Sequence, residues 1–139
     1  IMRFDGKIDG AVIKPNNEIK DMLCPMDGRL LLAIEMVASY GMPVGREVFD
    51  TCVWIGRFIE AWDSRYKLIY RRDVKLHLCG NARAKDSHIR QALIDLYGPG
   101  KDRAIGRKAT PGPLYGVKSH LFAALAVAVT ARNVGSHEI

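Results

Sequence analysis

Glu35 ends a run of five apolar residues, Leu30 to Ile34, in the stretch "LLLAIEMVASYG". A carboxylate at the end of a buried apolar segment has to be satisfied by a cation, a hydrogen-bond donor or solvent. His120 opens the last apolar segment of the chain, directly after a basic stretch. Phosphodiester hydrolysis commonly uses divalent ions held by carboxylates, sometimes with histidine, to activate water and stabilise the leaving oxygen. Mg²⁺ prefers oxygen ligands and keeps several waters, so a partial protein cage suits it. Glu35 and His120 are therefore candidate catalytic and metal-binding residues. The bland alternative is a solvated acid and a structural histidine, since nearly every domain holds one of each.

The basic residues fall into two clusters. Arg71, Arg72, Lys75, Arg83 and Lys85 stand against Asp73 alone, and Lys101, Arg103, Arg107, Lys108 and Lys118 stand against Asp102 alone. Each segment carries +4, so the remainder of the chain is net −2 within an overall charge of +6. Positive charge concentrated in this way suits a polyanion, although a solvated face gives the same pattern. Arg71, Arg72, Lys75, Arg83, Lys85 and Lys118 are the candidate contacts to such a polyanion.

The elements that must position these groups follow from periodicity. Leu30–Glu35 is short, branched and preceded by Asp27-Gly28, which predicts a buried strand with Glu35 at its C-terminal edge. Asp5-Gly6 between short apolar stretches predicts an opening antiparallel hairpin, and "NEIKDML" one or two helical turns. Val48, Cys52, Ile55, Ile59 and Trp62 recur at steps of four and three, which predicts an amphipathic helix over 44–63. "YKLIY" reads as a strand, and "RRDVKLHLCG" as an ambiguous segment open to a short helix. Asp86 or Ser87 can cap a helix through Tyr97, with Ile89, Leu93 and Leu96 inward and Gly98 as its stop. Residues 100–116 read as a long basic loop, and 119–131 as a helix so apolar that it must be largely buried. Strands followed by alternating helices and strands define an α/β domain with a mixed sheet. Trp54, Phe58, Trp62 and Phe122 are expected in the core or at a dimer contact, and Met22, Met26, Met36 and Met42 as packing filler.

Composition narrows the class. With 139 residues, 48% hydrophobic and 26% charged, one globular domain is expected. No apolar run reaches the length of a membrane span and no signal segment opens the chain, so a cytoplasmic protein is expected. Cys24, Cys52 and Cys79 are odd in number and widely spaced, which predicts reduced thiols and neither a disulfide framework nor a zinc site. No Gly-rich phosphate loop is present, which disfavours an ATP-handling protein.

The order "LLLAIEMVA", "GREVFDTCVWIGRFIEAW", "YRRDVKLHLCGNARAKDSHIRQALIDLYG" and "GVKSHLFAALAVAVTA" resembles the RuvC-type Holliday-junction resolvases of the RNase H-like superfamily, and most closely their phage-borne relatives. The likeness spans nearly the whole chain and lies in the order and spacing of segments, no one of which is specific alone. It implies an RNase H-like mixed sheet flanked by helices, in a single domain over 1–139. It implies a structure-selective endonuclease that resolves branched DNA with Mg²⁺ or Mn²⁺, acting as a homodimer in a bacterial or phage-infected cell without a small-molecule cofactor.

Carried over by position, Glu35 matches the metal-binding glutamate that ends the fourth strand, and His120 the first metal-ligand position of the closing helix. Lys75 matches a basic residue near the scissile phosphate, and Arg83 and Lys85 lie in the DNA-facing patch. Two departures stand out. The second ligand position of the closing helix is Ala123, which cannot bind metal. The family's first central strand, with its metal-binding aspartate, has no counterpart before "IMRFDG", and Asp5 belongs to the hairpin instead. This chain taken alone is accordingly expected to be N-terminally truncated, poorly stable and inactive, whatever its parent does. The alternative is a non-catalytic junction-binding relative of the same fold.

Overall fold

The structure is a computed structural model that describes residues 1–24, 26–27 and 29–134. It is 48% helix and 12% strand and divides into two compact units, one formed by Lys14–Arg71 and the other by Ile1–Ile13 with Arg72–Val134.

The Lys14–Arg71 unit is built on a strand–helix–strand crossover. Helix α1 (Asn16–Leu23) packs on the longer helix that follows strand β1 (Leu32–Met36). That helix, α2 (Arg46–Trp62), stops where Asp63 turns left-handed (φ 47°) and donates its N–H to the Ile59 carbonyl at 3.1 Å. The Trp62 indole N–H donates to the Arg65 carbonyl at 2.8 Å, and the same carbonyl accepts the Leu32 N–H at 3.1 Å. This double use of Arg65 fixes where strand β2 (Tyr66–Tyr70) starts against β1. The pair is parallel, with Leu32 opposite Tyr66 and Glu35 opposite Ile69. A parallel pair needs a crossover of this kind, and α2 supplies it.

Burial in this unit corrects three expectations: a buried β1, an inward Cys52 and methionine filler. Leu68 and Ile69 of β2 are both buried although they point to opposite faces. The β1 strand is only half-buried, and Glu35 is exposed on it, because among the described residues β1 pairs with β2 alone. On α2, Ile55 and Trp62 are buried as the spacing predicts, but Cys52 is exposed. Met22 and Met42 are also exposed and do not act as filler.

The other unit is mostly helical. Helix α3 (Arg71–Cys79) starts directly after β2, buries Val74, and ends where Gly80 adopts φ 65° and donates its N–H to the Leu76 carbonyl at 2.9 Å. Helix α4 (Asp86–Tyr97) begins after Lys85, whose N–H donates to His88 Nδ1 at 3.1 Å, so neither Asp86 nor Ser87 caps it. Its inward residues are Ile89, Leu93 and Ile94, whereas Leu96 faces out. Gly98 does stop α4, where the backbone turns extended (φ 176°, ψ 155°) and not left-handed. A Cβ there would lie 2.9 Å from the Ala104 nitrogen.

The expected long basic loop is structured. Helix α5 (Lys101–Ala104) leads into a two-residue antiparallel hairpin of β3 (Gly106–Arg107) and β4 (Thr110–Pro111). The Ala104 carbonyl accepts the Leu114 N–H at 2.8 Å, and Ala104, Leu114 and Val117 are buried. Three small apolar anchors suffice to order a segment whose composition reads as loop. Helix α6 (His120–Asn133) is the expected interior helix, burying Phe122, Leu125, Ala126, Val127, Val129, Thr130 and Ala131.

The predicted opening hairpin is reduced to one antiparallel bridge, Met2 with Ile8. Its charged residues and the exposed Phe4 give it no apolar face with which to extend a ladder. It is held instead by the Tyr97 hydroxyl, which donates to the Gly6 carbonyl at 2.6 Å. Among the described residues no helix is long and apolar enough to cross a membrane.

Candidate functional site

Glu35 sits next to the C-terminal end of β1, and its carboxylate lies 3.8 Å from the Arg71 guanidinium. The register explains the meeting. Ile69 is opposite Glu35, so Arg71, two residues on, falls on the same side of the pair. This answers the question that the apolar run raises: the acid is satisfied by a cation and by water, since its side chain is 39% exposed. Sequence reasoning assigned Arg71 to DNA contacts and missed it as the neighbour of Glu35. The signal lay in the strand "YKLIY" ending one residue before Arg71.

Glu35 also borders an open hollow of about 480 Å³ lined by Asn16, Glu47, Asp50, Thr51, Trp54 and Phe58, among others. Glu47 and Asp50 lie outside the apolar stripe of α2, and nothing in the sequence places them beside Glu35. Asp50 is paired with Arg46 at 3.5 Å. Trp54 and Phe58 stack tilted at 5.8 Å, and the Arg57 guanidinium covers Trp54 at 4.2 Å, which makes these rings half-buried wall and not core.

The remaining candidates belong to the other unit. Arg72 and Lys75 lie on α3, Arg72 exposed and Lys75 half-buried. Arg83 and Lys85 are exposed on the turn after Gly80, where the Asn81 side chain accepts the Arg83 N–H at 2.9 Å. Lys118 is exposed just before α6, and Arg103, Arg107 and Lys108 are exposed on the α5–hairpin segment. His120 is exposed at the first position of α6, after Ser119 in a positive-φ conformation (φ 44°, ψ −117°). Such a backbone is costly for a non-glycine residue and is a feature of positioned sites. Ala123 is half-buried one turn further on.

For a divalent ion, Glu35 offers one accessible carboxylate. Among the described residues no three His, Cys, Asp or Glu side chains gather closely enough to hold a metal ion. Glu35, Glu47 and Asp50 share a hollow without converging on a point. The described residues therefore do not by themselves make a metal centre. The three cysteines are free, Cys24 and Cys52 exposed and Cys79 half-buried.

Comparison with protein-family models, curated proteins and solved structures gives no match to this chain.

Proposed function

We propose that this protein is a structure-selective endonuclease of the RuvC type that binds branched DNA and hydrolyses a phosphodiester with Mg²⁺ or Mn²⁺. The observation that carries the reading is the exposed Glu35 carboxylate next to the end of a strand in a parallel strand–helix–strand unit. Exposed or half-exposed cations on α3, the Gly80–Lys85 turn, the α5–hairpin segment and the approach to α6 support it as phosphate contacts. In this reading Arg72, Lys75, Arg83, Lys85 and Lys118 hold the DNA backbone, and Arg71 orients Glu35. His120 is a second candidate ligand. Glu35 would supply one carboxylate to a divalent ion, the rest of whose ligands the described residues do not provide, and the chemistry such an ion would supply is activation of water and stabilisation of the leaving oxygen. The protein works on an RNase H-like domain as a homodimer, one site per symmetric cut.

A second reading, a junction-binding relative that does not cleave, is favoured by Ala123 and by the lack of any three-ligand cluster among the described residues. Both readings require salt-dependent binding of a four-way DNA junction in EDTA, tighter than binding of linear duplex. In the full-length protein, Glu35→Gln abolishes Mg²⁺-dependent junction cleavage and leaves binding intact under the first reading. Binding without cleavage by the unsubstituted protein selects the second. Equal affinity for junction and linear duplex removes both.

A further inference from the structure

The cations of this chain are shared unevenly. Residues 14–71 hold eight Lys and Arg against eight Asp and Glu, whereas Ile1–Ile13 with Arg72–Val134 hold thirteen against six, a net +7. Four of these cations, Lys101, Arg103, Arg107 and Lys108, stand within eight residues on the α5–hairpin segment. All four are exposed, and none has an ion pair among the described residues. The backbone that carries them is held in one shape. The Gly112 N–H donates to the Ile105 carbonyl at 2.9 Å, and the Leu114 N–H to the Ala104 carbonyl at 2.8 Å. A Cβ at Gly112 would press on the Arg103 and Ala104 carbonyl oxygens, so the chain closes tightly on itself there. Arg107 and Lys108 stand at the tip, because Lys108 and Ala109 alone join β3 to β4. A segment ordered in advance lowers the entropic cost of binding.

We propose that this tip reads the minor groove of duplex DNA, with the Arg107 and Lys108 side chains entering the groove and the ribbon resting at its mouth. The composition of the tip selects this partner. Besides the two cations, residues 106–112 offer only Gly106, Ala109, Thr110, Pro111 and Gly112, which make no large apolar surface for a protein. Pro111 has no N–H to give along β4, which bars a strand of another chain from that edge. Strands two residues long and so thinly clad do not fill a major groove about 12 Å wide. Extended cations match a minor groove about 6 Å wide, where the negative potential draws guanidinium and ammonium groups. The guanine amino group projects into that groove, so the tip favours A·T over G·C pairs. This contact rests on the DNA-binding reading and adds to its phosphate contacts, which carry no sequence information, a preference for base composition.

Binding of the full chain to four-way junctions in EDTA, with arms rich in A·T, G·C or I·C pairs, tests it. Inosine lacks the guanine amino group in the minor groove and keeps the guanine acceptors in the major groove. The A·T and I·C junctions are expected to bind alike, and about fivefold or more tighter than the G·C junction. Arg107→Ala/Lys108→Ala removes that preference and lowers the salt slope of binding by about two, with circular dichroism unchanged because both residues are exposed. Lys101→Ala/Arg103→Ala, behind the tip, weakens binding and keeps the preference. The comparison of the three junctions needs no variant and stands whatever the substitutions do to folding. Equal affinity for the three junctions, an I·C junction that binds like G·C, or a preference that survives Arg107→Ala/Lys108→Ala each overturns the minor-groove contact and leaves junction binding standing. Failure to bind any of the junctions overturns the DNA-binding reading with it.

Discussion

Gly106→Ala probes what holds the basic α5–hairpin segment in shape. Gly106 has φ 69°, a conformation that costs a residue with a side chain about 1 kcal/mol. Its added Cβ would also press on the Thr110 carbonyl oxygen and lie 2.6 Å from the Gly112 nitrogen, backbone atoms that cannot swing aside. Overpacking of this kind costs about 1–3 kcal/mol, so the sum is roughly 2–4 kcal/mol. Gly116→Ala is the control, because Gly116 has φ 83° with nothing within 4 Å of an added Cβ and bears only the conformational cost. Urea unfolding of the two variants gives the difference, about 1–3 kcal/mol. If the hairpin opens instead, the amides of Gly112 and Leu114, which donate to the Ile105 and Ala104 carbonyls, lose protection from hydrogen exchange. Under the proposed function, DNA binding by Gly106→Ala then shows a shallower salt dependence, since Arg107 and Lys108 are no longer held in place. Equal stability of the two variants, with the Gly112 and Leu114 amides still protected, would refute the view that backbone packing orders this segment.

Two further predictions concern the same unit. Leu93 is fully buried, so Leu93→Ala should cost about 2–5 kcal/mol, while Leu96→Ala, on the exposed side of α4, should stay within about 0.5 kcal/mol; urea midpoints for the pair decide which face of α4 is inward. Burial pushes the Tyr97 phenol above its ordinary pKa, with nearby Arg132 pulling it back in part. The folded chain then keeps this proton to higher pH than the unfolded chain, so the stability linked to Tyr97 is complete below the unfolded value of 10.0 and falls as pH rises through the raised folded one. Tyr97→Phe should remove that alkaline fall, and also lower stability at neutral pH by losing the bond to the Gly6 carbonyl. Identical alkaline slopes of stability in the two proteins would contradict this assignment.

The elements that were legible in the sequence are those whose apolar residues keep one period long enough. Residues 66–70 and the helices near 46–62, 86–97 and 120–133 all occur where their patterns put them. The errors lie where tertiary partners decide. Ile94 and Leu96 both fit the period of α4, and only its packing neighbours choose Ile94. The segment from Gly100 to Gly116 carries turn residues throughout, yet three buried anchors order it, because a backbone that approaches itself closely at Gly98, Gly106 and Gly112 can satisfy its own amides. Glycine there signals close approach, and the same letters in a sequence also signal a flexible loop.

Glu35 shows the limit most clearly. Its type, its place after an apolar run and its candidacy as a site residue were all legible, but its environment depends on a strand pairing that sequence does not reveal. With only β2 beside it among the described residues, β1 leaves the carboxylate exposed, and Arg71 stands beyond hydrogen-bonding distance at 3.8 Å. An exposed ion pair of that length is worth about 0–1 kcal/mol, so Arg71 orients the acid without locking it. A carboxylate held this loosely, at a strand end and open to solvent, remains available to a cation of higher charge.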